Sequence, residues 1–206
     1  MDQPVCSRCG SQLDGRNCPI HGTVAGLAPF GAPNAERFRA LAARSPVPYW
    51  LTWPLHPGWV INGAGYASDE RDRVRATITA CAGPHPLDET GGELLLIAEE
   101  IGVGLGARYA GIPDQDPGAR IGSGPPEARV FAGGHPAPLW TIDSPPDRRA
   151  YVGSAAGRWL WTVFFPAGAA SLLIEPLELA DVRILGAEVA WAGYGSLTPR
   201  LDHPEP

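Results

Sequence analysis

Arg158-Trp-Leu-Trp-Thr-Val-Phe-Phe165 is a run of aromatic and β-branched residues. Together with Arg75-Ala-Thr-Ile-Thr-Ala-Cys-Ala-Gly83 and Glu93-Leu-Leu-Leu-Ile-Ala-Glu-Glu100, it decides the fold class. Short runs of this composition fit a pleated, buried surface and read as strands over 158–165, 74–82 and 93–98. Working outward, further strands are expected over 47–53, 58–66, 128–132, 137–142, 149–154, 170–175 and 188–192. Turns rich in Pro, Gly and Asp separate them, such as Pro84-His-Pro-Leu-Asp88 and Asp143-Ser-Pro-Pro-Asp147. Helices are expected near 103–110 and over 177–185, where Leu177, Val182 and Leu185 fall along one helical side. This order predicts an α+β fold with a largely antiparallel sheet and two or three short helices.

A weak internal repeat sets residues 47–111 against 128–192. Pro48-Tyr-Trp50 aligns with Pro138-Leu-Trp140, the strand at 75–83 with that at 158–165, and the run from Glu93 with Ser171-Leu-Leu-Ile174. It reads either as a duplicated unit or as the resemblance any series of short strands has to another. The main domain is expected over 47–206. The stretch 26–46 is expected to be a linker with a short helix, N-capped by Asn34, in which Phe38, Leu41 and Ala42 share one face.

Composition excludes several chemistries. Hydrophobic residues make up 44% of 206 and charged residues 18%, enough apolar content to bury a core. All 16 basic residues are arginine, which rules out a Schiff-base lysine and a phosphate-binding Walker lysine. The net charge is -6, and Arg71, Arg73 and Arg75 are offset by Asp69, Glu70 and Asp72, so nucleic-acid binding is not expected. Arg8 and Arg16 alone give such a surface little support. The first residues are polar, and no apolar run reaches the ~20 residues that cross a bilayer, so a cytoplasmic protein without a membrane segment is expected.

Residues 1–25 carry the most specific pattern. Cys6-Ser-Arg-Cys9-Gly10 is followed after seven residues by Cys18-Pro-Ile-His21-Gly22. Each pair, with two residues between its members, forms a turn aiming two ligands at one point, and two such turns satisfy a tetrahedral ion. Thiolate and imidazole suit zinc better than magnesium or calcium. Gly10 and Gly22 can take left-handed backbone that folds each turn back on its sulfurs. Cys6, Cys9, Cys18 and His21 are therefore expected to bind one structural Zn2+, with free or redox-active thiols as the alternative. These turns resemble those of zinc ribbons. Over nearly its full length the chain also resembles a family from high-GC Gram-positive bacteria that has no assigned reaction. The carriers are these turns, Trp53-Pro-Leu-His-Pro-Gly-Trp59, Ala98-Glu-Glu-Ile-Gly-Val-Gly-Leu-Gly-Ala-Arg-Tyr-Ala-Gly111, Pro138-Leu-Trp140 and Gly195-Ser-Leu-Thr-Pro-Arg-Leu201. The resemblance implies a shared architecture.

Other candidates have structural readings of equal or greater weight. Gly102-Val-Gly-Leu-Gly106-Ala fits a loose dinucleotide fingerprint, but Glu99 and Glu100 precede it and the following helix is short, so a packing turn is expected. Glu99 and Glu100 face opposite sides if the strand continues. His56, His85 and His135 each adjoin proline and read as separate turn residues or as a converging site. Cys81 reads as a buried thiol. Trp159 and Trp161 share one strand face, lining either a core or a pocket, while Trp50, Trp53 and Trp59 form the other aromatic segment. No catalytic residue or organic cofactor is assigned. The expected function is a binding or adaptor protein with a possible protein partner at the ribbon. The alternative is a small-molecule enzyme in which Glu99, Glu100, Arg108, Tyr109 and His135 meet in a cleft.

Overall fold

The computed structural model describes residues 4–29, 33–85, 91–112, 116–119 and 121–202. Most of the turn expected at 84–88, and part of the 26–46 stretch, lie outside them. The strands are β1 (Val5–Cys6), β2 (Asn17–Cys18), β3 (Gly22–Thr23), β4 (Gly26–Pro29), β5 (Trp50–Thr52), β6 (Val60–Ser68) and β7 (Val74–Pro84). They continue with β8 (Gly91–Glu99), β9 (Ala128–Ala132), β10 (His135–Ile142), β11 (Arg149–Ala155), β12 (Arg158–Phe165) and β13 (Leu177–Asp181). The α-helices are α1 (Ala35–Ala42), α2 (Leu105–Ala110), α3 (Val182–Leu185) and α4 (Pro199–Asp202).

Two antiparallel meanders, β6-β7-β8 and β10-β11-β12, meet where β8 pairs with β12 in a register that sets Ile97 opposite Trp161. Strands β4 and β1 extend the sheet beyond β6. Strands β9, β13 and β5 extend it beyond β10, with β13–β9 the parallel pair. The eleven-stranded sheet curls until β5 packs across β7 and β8.

This curl gives the molecule two cores and explains the unbroken apolar runs. Along β8, Leu94, Leu96 and Ala98 enter one core, and Leu95 and Ile97 enter the other. A strand buried on both faces has no reason to alternate with polar residues. The inner core, with Phe38, Tyr49, Ile61, Leu160 and Phe164, is enclosed by the curled sheet, α1, α3 and two 3-10 helices. Each such side chain, fully removed from water, contributes about 1.5–3 kcal/mol. Helix α1 starts as its sequence dictates, with the Asn34 side chain accepting the Arg37 N–H at 3.0 Å. The outer core gathers Ile78, Leu95, Ile97, Trp161 and Val163 beneath Leu105 of α2 and Leu201 of α4. Trp159 and Trp161 do share this face, Trp161 inside the core and Trp159 partly buried against it.

Three local expectations are corrected. Residues 170–175 lie mostly in the 3-10 helix Ala167–Ile174. This helix turns Ala169 and Leu172 inward and leaves Ile174 exposed, covering the core without pairing. The helix expected over 177–185 begins only at Val182. Before it, Leu177, Leu179 and Asp181 alternate inward as β13, and the Asp181 carboxylate then caps α3 through Arg183 N at 3.0 Å. The strand expected over 188–192 is largely the 3-10 helix Gly186–Trp191, anchored by Val189. Runs this short do not distinguish the two periodicities by themselves.

Candidate metal centre and adjoining cleft

Each half of the Cys/His pattern folds on its own local geometry. Gly10 and Gly22 adopt φ of 79° and 67°, the left-handed conformation open to glycine. The Gly10 N–H donates to Cys6 O at 2.8 Å, closing the first turn, and the Ile20 N–H approaches Cys18 Sγ at 3.4 Å in the second. Strands β2 and β3 pair on either side of the second turn, setting Cys18 opposite Gly22. The ligand atoms of Cys6, Cys9, Cys18 and His21 all lie within 4.8 Å of one another, the one such group among the described residues. No disulfide joins the cysteines. Cys6 Sγ is 3.7 Å and Cys18 Sγ 3.6 Å from His21 Nδ1, and Cys9 Sγ is 3.7 Å from Cys18 Sγ.

The sulfurs differ in their ionisation. Burial pushes the Cys6 thiol up to about 11, against the lowering effect of the Arg8 and Cys9 N–H groups. Burial also raises Cys9, but the Ser11 hydroxyl and N–H outweigh it and bring Cys9 down to about 6. One thiolate thus forms readily, and a cation draws the others to the ionised state. Three soft donors and one imidazole at this spacing suit a tetrahedral metal ion.

The cluster segment is built into the sheet. Strand β1 pairs with β4, which pairs with β6. Ser7 Oγ donates to Val103 O at 3.1 Å, and Arg16 binds Ser68 O at 3.1 Å and the Asp72 carboxylate at 2.6 Å.

Beside the cluster opens a cleft of about 780 Å³. Arg8 and Cys9 form one wall, Arg108 and Tyr109 of α2 another, and Arg148, Phe165 and Arg200 close it. Backbone carbonyls hold three of the guanidinium groups. Arg8 Nη2 donates to Gly102 O at 2.7 Å, Arg108 Nη1 to Cys6 O at 3.2 Å, and Arg148 Nη1 to Tyr109 O at 3.0 Å. The fourth, Arg200, lies 3.6 Å over the Phe165 ring and donates from Nε to Glu93 at 2.7 Å.

Of the residues expected to meet in an enzyme cleft, only the chain neighbours Arg108 and Tyr109 line this one, and Glu99, Glu100 and His135 do not. Glu99 and Glu100 face opposite ways. Glu99 is 1% exposed, and its Oε2 accepts the Leu105 and Gly106 N–H groups at 2.7 and 3.3 Å. Burial raises its carboxyl to about 7, held back by those two N–H groups. Glu100 pairs with Arg73 and Arg158 at 3.0 and 3.2 Å, and with Arg75. His135 is exposed on the β9–β10 hairpin. His56 stacks edge-on with Trp59, whose indole N–H donates to Pro84 O beside the buried His85. Cys81 is fully buried, which pushes its thiol up to about 12.

The Gly102–Gly106 segment is a packing turn. A Cβ at Gly106 would fall 2.2 Å from the Trp161 ring, and the Glu99 carboxylate occupies the helix start where a phosphate would sit. Arg8 lines the cleft with three other arginines, a grouping the sequence did not display. Arg148, Arg200, Phe165 and Glu93 were not foreseen, and the only pointer was Pro199-Arg200 inside a carrier motif of the resemblance.

Fold and site together define an α+β protein, mostly antiparallel sheet, with a Cys3His cluster able to hold a metal ion at one sheet edge. The chain belongs to DUF6758, a family of unknown function that matches residues 1–201. No curated protein and no solved structure matches it. No helix among the described residues is long and apolar enough to cross a membrane.

Proposed function

We propose that the protein is a binding protein stapled by zinc. Cys6, Cys9, Cys18 and His21 hold one structural Zn2+, and the ribbon they close contributes a surface for a partner. The observation that carries this reading is the complete four-ligand set in a segment whose own core is only Cys6, Leu13, Cys18 and Val24. Four protein ligands leave no position for a reacting water, and a core that small needs a metal to hold its shape. Uncrosslinked thiols fit a reducing, cytoplasmic setting. Ile20, 70% exposed on the second turn, offers a protein partner an apolar contact.

Replacing zinc with cobalt tests the closed site. The expected result is one metal per chain and a tetrahedral thiolate spectrum that added azide or cyanide leaves unchanged. A spectrum shifted by those anions reveals an open coordination position and defeats the structural reading. The enzyme reading is favoured by one observation, the meeting of Arg108 and Tyr109 in the cleft. It requires a turnover that Tyr109→Phe abolishes while zinc is retained.

A further inference from the structure

We infer that the cleft beside the ribbon binds a compact polyanion, a small molecule carrying two or more phosphate or carboxylate groups. The inference rests on the zinc reading in one respect: the ribbon positions Arg8.

Charge is the first argument. The chain carries -6, yet the cleft lining carries four guanidinium groups against two anionic groups, the Glu93 carboxylate and the Cys9 thiolate at the cluster edge. Glu93 is already engaged on both oxygens, by Asn62 Nδ2 at 3.0 Å and by Arg200 Nε at 2.7 Å. Arg148 has Asp147 as its partner at 2.8 Å. Among the described residues Arg8 and Arg108 hydrogen-bond carbonyl oxygens, Arg108 also lies beside the Tyr109 ring, and no carboxylate pairs with either. An acidic protein that gathers cations in one concavity focuses its field there and draws anions to it.

Geometry is the second argument. A guanidinium fork matches phosphate and carboxylate oxygens in pairs. Each of the four is fixed by a protein acceptor, so little side-chain freedom remains to be lost when an anion binds.

The aromatic residues decide between a small polyanion and a nucleic acid. Binding single strands uses open ring faces on which bases stack. Phe165 is 3% exposed and lies beneath Arg200, and Tyr109 is 6% exposed with Arg108 beside its ring. Neither offers a platform. The volume of about 780 Å³ is that of a small-molecule site.

The test is calorimetric titration of the full chain with pyrophosphate and, separately, with citrate, with zinc content measured on every sample. One site per chain is expected for at least one anion, weakened about tenfold or more by Arg108→Gln. Because Arg108 also holds Cys6 O, a second variant leaves every arginine in place. Pro199→Glu puts a carboxylate on the exposed cleft rim at the start of α4 and is expected to weaken binding several-fold. Arg129→Gln, outside the cleft, should change nothing. Binding of pyrophosphate alone assigns a phosphorylated ligand, and binding of citrate alone a polycarboxylate. A zinc-loaded chain that binds neither anion, or binds equally well after both cleft substitutions, overturns the inference. A chain that binds an anion without holding zinc keeps the cleft and rejects the metal.

Discussion

The Cys3His cluster and the arginine cleft share a wall, since Cys9 belongs to both, yet they are built in opposite ways. The cluster takes its four side chains from a single stretch, Cys6 to His21, in which two tight turns present them, while β1 and Arg16 tie that stretch to the sheet. The cleft takes its arginines from positions 8, 108, 148 and 200, on four segments that only the finished sheet brings side by side. A site made by local turns survives as a pattern in the sequence. A site made by convergence exists only as long as each supporting element stays in place. In this molecule the second is partly founded on the first, because Arg8 lies between two cluster cysteines.

The largest expected effect tests that dependence. Cys18→Ser should abolish stoichiometric zinc and cost about 4 kcal/mol or more, because a segment with almost no core loses its staple. Metal analysis and chemical denaturation check both quantities. Polyanion binding should be lost with it, and a variant that binds pyrophosphate normally would show the regions to be independent.

Glu99 anchors α2, which carries Arg108 and Tyr109, and it links the cleft to pH. Its folded carboxyl lies near 7 against an ordinary value of 4.5. Its favourable contribution is therefore present below the ordinary value and is lost as pH rises through about 7. Glu99→Gln should match the wild type near the ordinary carboxyl value. It should gain on it progressively above that, reaching roughly 3 kcal/mol beyond neutrality as an upper bound. Paired denaturation curves across the range check the sign, and an advantage that shrinks with rising pH would refute it.

Gly106→Ala separates the regions from the other side. Its Cβ would meet the Trp161 ring at 2.2 Å, so α2 must lift, at a cost of about 2 kcal/mol. Zinc should stay at one per chain while pyrophosphate binding weakens, as metal analysis and calorimetry will show. The smallest effect belongs to Arg16→Ala, which removes the exposed ion pair with Asp72 and the part-buried hydrogen bonds to Ser68. The cost should be within about 1 kcal/mol and shrink at high salt.

Much of the fold was legible because the signals were local. The runs at 75–83, 93–100 and 158–165 are strands β7, β8 and β12, with small shifts at their ends. Residues 170–175 and 188–192 have comparable apolar content, but neighbours decided their state: they cap the curled sheet, and a cap does not need to pair. Glu99 was singled out as a residue of an enzyme cleft. That it caps α2 could not be read, because the cap depends on how the chain turns back after β8.

By itself the sequence determined the class of fold and the Cys3His set, since both follow from spacing: a strand run from consecutive side chains, a pair of candidate ligands from two intervening residues. Only the tertiary structure decided that the cluster segment joins the sheet and that four distant arginines face one cleft. Those outcomes depend on strand order and on the curl of the sheet, which arise from contacts between residues as much as 138 positions apart. Such contacts leave no periodicity for a single sequence to display.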